Sequence, residues 1–404
     1  MTHKPHILFV DDEENILLGL KRGMRRNRHA WNMSFASSGG EALEIFKEKH
    51  VDIIVSDMRM PIMDGAELLE RVCKISPDTA RVVLSGYAKD EVVLKVIGPA
   101  HQYLAKPCDF DDLEETIKRI FRLRDCVGET SVRKLITGKK NLPSLPDIYQ
   151  NLLAELENPM STNRSIAHIL EKDIGLKAQV FKVCNSAFFG LPQKINNLET
   201  AVSMIGMNTL RSMALLSGFF TTLKDQVSEC LVLERLSNNS LEMALMAAHI
   251  GRKLGLSKPE IDLAVSAGSL CHIGTLIVSA TWPHKFEEAV KQCEQNPDQT
   301  IDNFEREQIG ADHGVIGAYL LGLWGFPLNL CEAIAYHHRP HLAGEGEQRV
   351  LCTLHIAQHF SKMVGRSTLD DASLMRGIDV NFLEEKGVPI TTDFLKSLNL
   401  KENV

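Results

Sequence analysis

Over the first 125 residues the hydrophobic positions keep changing period, from solid apolar runs to spacings of three and four. His6–Val10 (HILFV) is an apolar run that ends in Asp11 and Asp12, after which Ile16, Leu20 and Met24 recur at helical spacing. Val51–Ser56 (VDIIVS) ends in Asp57, Arg81–Leu84 (RVVL) in Ser85, and Gln102–Ala105 (QYLA) in Lys106-Pro107. Leu113, Ile117, Ile120 and Phe121 make an amphipathic last helix. Strands apolar on both faces, with helices between them, predict an α/β fold: a doubly wound parallel sheet, here of five strands. Its ligand crevice lies at the carboxyl ends of the strands, where each of these polar residues falls.

From about residue 126 the texture changes. Residues 128–140 are polar and basic, and the two prolines of Leu142-Pro143-Ser144-Leu145-Pro146 forbid a continuous helix. Beyond them the spacing is helical to about residue 365. Leu176, Val180 and Val183 share a face, as do Leu241, Ala244, Leu245 and Ala248, and again Val315, Tyr319 and Leu323. The expected organisation is an α/β domain over 1–125, a linker over 126–140, an all-α domain over 141–362, and a tail over 363–404 with one or two short helices.

Composition narrows the class. The 404 residues carry 45 Lys and Arg against 52 Asp and Glu, a net charge of −7, and 44% are hydrophobic. That is ample for packed cores and excludes a disordered or disulfide-stapled chain. The acidic balance, and the lack of a helix-turn-helix or aromatic-basic stripe, argue against a nucleic-acid partner. The cluster Lys21, Arg22, Arg25, Arg26 and Arg28 reads as the solvated face of a helix. Nine scattered cysteines without a CxxC pair fit reduced, mostly buried thiols in a cytoplasmic protein. The uncharged stretch between Asp262 and Lys285 is long enough for a bilayer, which takes about 20 residues. Its three serines, two glycines and internal His272 instead predict a buried helix broken near Gly274, in a soluble chain without a membrane partner.

Asp11, Asp12 and Asp57 converge at adjacent strand ends in the predicted sheet. Three carboxylates so placed repel one another unless a hard, oxygen-preferring cation such as Mg²⁺ sits among them. A carboxylate beside such an ion can attack a phosphoryl group and form an aspartyl-phosphate. Lys106 and Ser85 then supply a positive charge and a hydroxyl to the phosphoryl oxygens.

FVDDE, IIVSDMRMPIMDG, VVLSGY and YLAKP together resemble the response-regulator receiver domain, over residues 1 to about 125. The resemblance implies that Asp57 is the phospho-acceptor. It implies that Asp12, Asp57 and the backbone carbonyl of Arg59 bind Mg²⁺, with Asp11 close by through water. Ser85 and Lys106 would contact the phosphoryl group, and Tyr103 would be the aromatic that turns inward on activation. Arg59 and Tyr87 are bulky neighbours expected to restrict attacking water.

LPSLPDIYQNLLAEL, IAHILEKDIGLKAQVFKVCNSAFFG, LETAVSMIGMNTLRSMAL and SLCHIGTL with GADHGVIGAYLLGLWGFPLNLCEAIAYHHRP resemble the HDOD domain, an all-helical relative of the HD phosphohydrolases. Such hydrolases hold metal with a His, a His-Asp doublet and a distant Asp. Here those positions read Asn239, His272-Ile273 and Gln358, so of the four ligands His272 alone remains. His313, His337 and His338 match positions shared with the HD-GYP phosphodiesterases and form a residual HD-like site. Adjacent residues diverge by about 100° on a helix, so His337 and His338 can serve one ion only if the helix ends there, as Arg339-Pro340 favours. Buried, hydrogen-bonded histidines are the expected outcome. Asn185-Ser186 with Phe188-Phe189 reads as a helix stop with core aromatics, and Met204, Met207 and Met213 as core filling.

The resulting expectation is a two-component response regulator. A sensor histidine kinase would phosphorylate Asp57, and repacking of the fourth and fifth receiver helices would pass through the linker to a non-catalytic output domain. That domain's target is unnamed, with a cyclic-dinucleotide signalling enzyme as a candidate, and homodimerisation through the last receiver helices is a further expectation. The alternative is a phosphorylation-gated phosphohydrolase acting on a cyclic dinucleotide or another nucleotide.

Overall fold

A computed structural model describes residues 4–85, 100–128, 147–158, 160–172 and 197–223, and most of 227–361 and 375–398. Residues 132, 176–177, 180–181 and 184 are described singly. The side chains of Ser85 and Tyr103, the fourth receiver helix, most of the linker, Tyr87 and the Asn185–Phe189 stretch lie outside the described residues. Two compact units emerge, one built mainly on residues 1–144 and the other mainly on 145–404.

The first unit runs β1 (His6–Val10), α1 (Glu14–Gly23), β2 (Asn32–Ala36), α2 (Gly39–Glu48), β3 (Ile53–Asp57), α3 (Gly65–Ile75), β4 (Ala80–Ser85), β5 (Gln102–Ala105) and α4 (Phe110–Val127). The strands form one parallel sheet in the order β2-β1-β3-β4-β5. All residues of β1 and β3 are buried, as continuous apolar runs demand when helices cover both faces. Leu8, Val10, Ile54, Leu68, Leu69 and Val72 form the core under α3. Leu113, Ile117, Ile120 and Phe121 are buried as their spacing predicts, and Trp31 packs on Phe121 at 6.1 Å between ring centroids.

The basic cluster is a solvated face as its spacing predicts, with Lys21, Arg22, Arg25, Arg26 and Arg28 all exposed. A 3₁₀ turn, Met24–Asn27, follows α1 and buries Met24, and Arg26 pairs with Asp111 and with Glu114 on α4, the latter at 2.5 Å. The turn buries Met24 and leaves the Arg26 guanidinium at the surface within reach of two carboxylates.

The second unit is helical throughout its described residues. Its opening helices are α5 (Asp147–Glu157), α6 (Asn163–Leu170), α7 (Leu198–Ile205) and α8 (Met207–Leu223), and Leu152, Ile166, Leu170, Val202 and Leu210 fill the core between them. Met213 belongs to that core, but Met207 is 38% exposed, because it starts α8 directly after the Gly206 turn. Next come α9 (Leu233–Lys253), α10 (Lys258–Leu270), α11 (Ile273–Thr281), α12 (Pro283–Gln295) and α13 (Ile301–Ile309). The remainder is α14 (His313–Leu323), α15 (Leu328–Tyr336), α16 (Arg349–Ser361), α17 (Val380–Glu385) and α18 (Thr392–Ser397). The last two are the short tail helices, held by buried Phe382, Leu383 and Leu395.

Lys258–Thr281 is long and apolar enough to cross a membrane by length and composition, and it is mostly buried in this unit. It is interrupted between Leu270 and Ile273, just before Gly274. Cys184, Cys271, Cys331 and Cys352 are buried, whereas Cys230 is exposed.

Candidate functional site

In the α/β unit, register decides the site. Val10 pairs with Ser56 across β1 and β3, so the next residues, Asp11 and Asp57, leave the sheet side by side at its topological switch point. Both are buried, while Asp12 is exposed. Lys106 follows β5, through a cis peptide to Pro107, and reaches back across the strand ends. Its Nζ lies 2.7 Å from Asp11 Oδ2 and 2.5 Å from Asp57 Oδ1. Burial alone would lower the Lys106 ammonium, but hydrogen bonds to Asp11 and Asp57 outweigh it and raise the group above its ordinary value. The second oxygens accept backbone amides: Glu13 N–H donates to Asp11 Oδ1 at 2.9 Å, and Arg59 N–H to Asp57 Oδ2 at 3.0 Å. The Arg59 side chain points outward and is exposed.

The loop after Asp57 turns tightly. Met63 N–H donates to Pro61 at 2.8 Å around Ile62, whose φ of 70° is strained for a β-branched residue. The chain then enters α3 at Gly65, whose N–H donates to the Met58 carbonyl at 2.9 Å. A Cβ there would collide with the Asp57 carbonyl oxygen and lie 3.0 Å from Met58 Cα. Asp64 caps α3 by accepting from Glu67 N–H at 2.8 Å. Asp11, Asp12 and Asp57 offer oxygen ligands at one crevice, a donor set that fits a hard divalent cation such as Mg²⁺.

The helical unit gathers histidines. α15 ends at Tyr336, so the turn that follows lets His337 and His338 converge, with ring centroids 4.0 Å apart. His313, at the start of α14, lies 5.0 Å from the His338 ring and 5.6 Å from the His337 ring. One nitrogen from each of the three lies within 4.8 Å of the others. His313 Nδ1 is 2.6 Å from Glu305 Oε2, which also accepts the His313 backbone N–H at 2.8 Å. Burial alone would lower the His313 imidazole, but the charge and hydrogen bond of Glu305, with Asp312 and Asp302, outweigh it and raise it to about 9. Burial pushes the Asp312 carboxyl up, although Arg306 pairs with it.

Of the four HD-hydrolase positions, His272 stacks on His313 at 6.4 Å, and its Nδ1 meets Ser240 Oγ at 3.3 Å and Cys271 Sγ at 3.2 Å. Ile273 is fully buried at the start of α11, Asn239 is half-buried on α9, and Gln358 is buried on α16.

Comparison with known proteins agrees with both halves. The response regulator receiver domain model matches residues 7–118, and the HDOD domain model matches residues 142–340. The chain is a receiver domain followed by an HDOD domain. The receiver half is 33% identical over 119 residues to the transcriptional regulatory protein GlrR of Escherichia coli K12, covering 29% of this chain and 26% of GlrR. It is 31% identical over 135 residues to the transcriptional regulatory protein PrrA of Mycobacterium leprae, covering 33% of this chain and 57% of PrrA. The chain thus spans about a quarter of the first relative and just over half of the second. A crystal structure from Shewanella amazonensis SB2B, named as a candidate phosphohydrolase, matches with TM-score 0.52 at 22% identity, over 67% of this chain and 94% of that one. That likeness shows the fold.

Receiver-domain relatives are response regulators of two-component systems, and the receiver strands bring Asp11, Asp57 and Lys106 together as their positions at strand ends predict. The acidic shell of the HDOD histidines escaped the sequence reading. Glu305 and Asp302 precede His313 by eight and eleven residues on α13, and the sequence carries no contiguous motif that joins them. Gly274 marked a helix break in the sequence, but the close backbone approach at Gly65 and Gly274 shows only once the approaching backbone is in place.

Proposed function

We propose that the chain is a phosphorylation-switched response regulator, with Asp57 the acceptor and the HDOD domain a non-catalytic module that binds a partner protein. The observation that carries the reading is Lys106 Nζ held between Asp11 and Asp57 at the switch point of the sheet. An Asp57 oxygen would bond to phosphorus as the bond to the imidazole of a sensor histidine kinase breaks. Lys106 would follow the new charge onto the phosphoryl oxygens, leaving its carboxylate pair. Ser85, ending β4 beside Asp57, would donate its hydroxyl. Asp11, Asp12 and Asp57, with the Arg59 carbonyl, would hold Mg²⁺, which neutralises charge during transfer. Tyr103, on β5, would report the change to the receiver surface.

The absence of a carboxylate at Ile273 and Gln358 supports regulation rather than hydrolysis in the HDOD domain, in a protein that works in the cytoplasm. A switch of this kind requires only about 1–3 kcal/mol of coupling. The test is affinity capture from source-cell lysate with and without beryllofluoride and Mg²⁺, read by mass spectrometry. A partner enriched in one state, and lost with Asp57→Asn, is expected. Identical captures in both states would sink the reading.

A further inference from the structure

We propose that His313, His337 and His338 together hold one divalent transition-metal ion, of the zinc, cobalt or ferrous class, inside the HDOD domain. Two of the three rings, His313 and His337, are built as metal ligands are built, with Nδ1 fastened and Nε2 left to offer, and the third has a carboxylate nearby. Metal-bound imidazoles nearly always give their second nitrogen to a carboxylate or a backbone carbonyl, which sets tautomer and ring direction. His313 Nδ1 is fastened to Glu305 Oε2 at 2.6 Å, and His337 Nδ1 to the Ile334 carbonyl at 2.6 Å. His338 Nδ1 stands 3.7 Å from Asp302 Oδ1. What faces the common centre is then Nε2 from each ring.

Two of those Nε2 atoms, on His313 and His338, are 3.2 Å apart. That spacing suits two nitrogens on one four-coordinate ion, which stand roughly 3.3 Å apart when each bond is about 2.0–2.1 Å. His337 offers a ring nitrogen within 4.8 Å of one on each of the other two, so the three can close on one ion.

Charge points the same way. Asp302, Glu305 and Asp312 are each almost wholly buried around the cluster. Arg306 and Arg339 answer Asp302 and Asp312, whereas Glu305 Oε1 is buried with no hydrogen-bond donor among the described residues. Buried carboxylate charge left partly uncompensated is costly, and a dication beside His313 offsets it. Imidazole donors select the borderline transition metals over Mg²⁺. The ion would join the α13–α14 corner to the end of α15. With no carboxylate at Ile273, it is assigned a structural role. This inference stands independently of Asp57 and its phosphorylation.

The experiment is titration of the chelator-stripped, full-length protein with Co²⁺, followed by its visible absorption. One saturable equivalent is expected, unaffected by excess Mg²⁺ and retained by Asp57→Asn. His338→Asn should abolish the band with an unchanged far-ultraviolet circular dichroism spectrum. Glu305→Gln should weaken binding by about 10–100-fold, as loss of a ligand's orienting partner does. X-ray absorption at the metal edge of the wild-type protein should show imidazole nitrogens, which keeps the test decisive if a variant misfolds. No saturable uptake, uptake undiminished in a folded His338→Asn variant, or a shell of oxygen alone would overturn the proposal.

Discussion

Gly274 passes so close to His313 that a methyl group on it would collide with the His313 carbonyl oxygen and lie 2.9 Å from the Gly317 amide nitrogen. Helices α11 and α14 therefore cross backbone to backbone, at the residue that opens the histidine cluster. Gly317 answers from the other side, since its own Cβ would stand 3.0 Å from the Gly274 nitrogen. Gly274→Ala is expected to destabilise the HDOD domain by roughly 2–4 kcal/mol, the cost of forcing packed helices apart. Urea unfolding followed by helical circular dichroism would show it as an earlier transition, and an unchanged midpoint would refute the close crossing.

Asp57→Asn is expected to eliminate covalent phosphoryl uptake from acetyl phosphate in the presence of Mg²⁺. Mobility in phosphate-affinity gels measures this directly, and residual Mg²⁺-dependent uptake would place the acceptor elsewhere.

Lys106 neutralises two buried carboxylates at once, so Lys106→Met leaves Asp11 and Asp57 facing each other. Without Mg²⁺ the receiver should lose about 1–3 kcal/mol, less than for a fully buried pair because Lys106 is partly exposed. Mg²⁺ should stabilise the variant more than the wild type, since the lysine no longer competes with the ion for those oxygens. Equal Mg²⁺ effects on the two urea midpoints would contradict this arrangement.

Gly65→Ala probes the entrance to α3, where the added methyl would strike the Asp57 carbonyl. A loss of about 2–3 kcal/mol in receiver stability is expected, with slower phosphoryl uptake as Asp57 is displaced. Differential scanning calorimetry together with the uptake assay would separate the two effects.

Glu114 gives the receiver an acid-sensitive anchor. Burial alone would raise its carboxyl, but the ion pairs with Lys118 and Arg26 outweigh it and bring the group down to about 2. Because the folded value lies below the unfolded one, this stabilisation is present above about pH 4.5 and fades as pH falls toward 2. Glu114→Gln should cost roughly 1–2 kcal/mol at neutral pH and flatten the decline between pH 4.5 and 2. Stability curves across that window, unchanged by the substitution, would refute the role.

Much of this protein was legible along the chain because its signals are local. Apolar runs that end in Asp11, Asp57, Ser85 and Lys106 already specify strands buried on both faces with chemistry at one edge, since a parallel sheet places all its strand ends on the same side. The change of period near residue 126 likewise marks where β–α alternation yields to helix on helix. The Arg339-Pro340 pair foretold the end of α15 that lets His337 and His338 meet. What is local in sequence failed where packing is not. Met207 reads as core filling but sits at a helix start facing out, and Arg26, exposed as its cluster predicts, pairs with Asp111 and Glu114 on α4, which no spacing announces. Whether three histidines form a cluster depends on the backbone crossing at Gly274 and on carboxylates contributed by α13. Such contacts join residues on separate helices with no shared motif, and only the folded chain brings them within bonding distance, which is why tertiary structure alone decided the inner site.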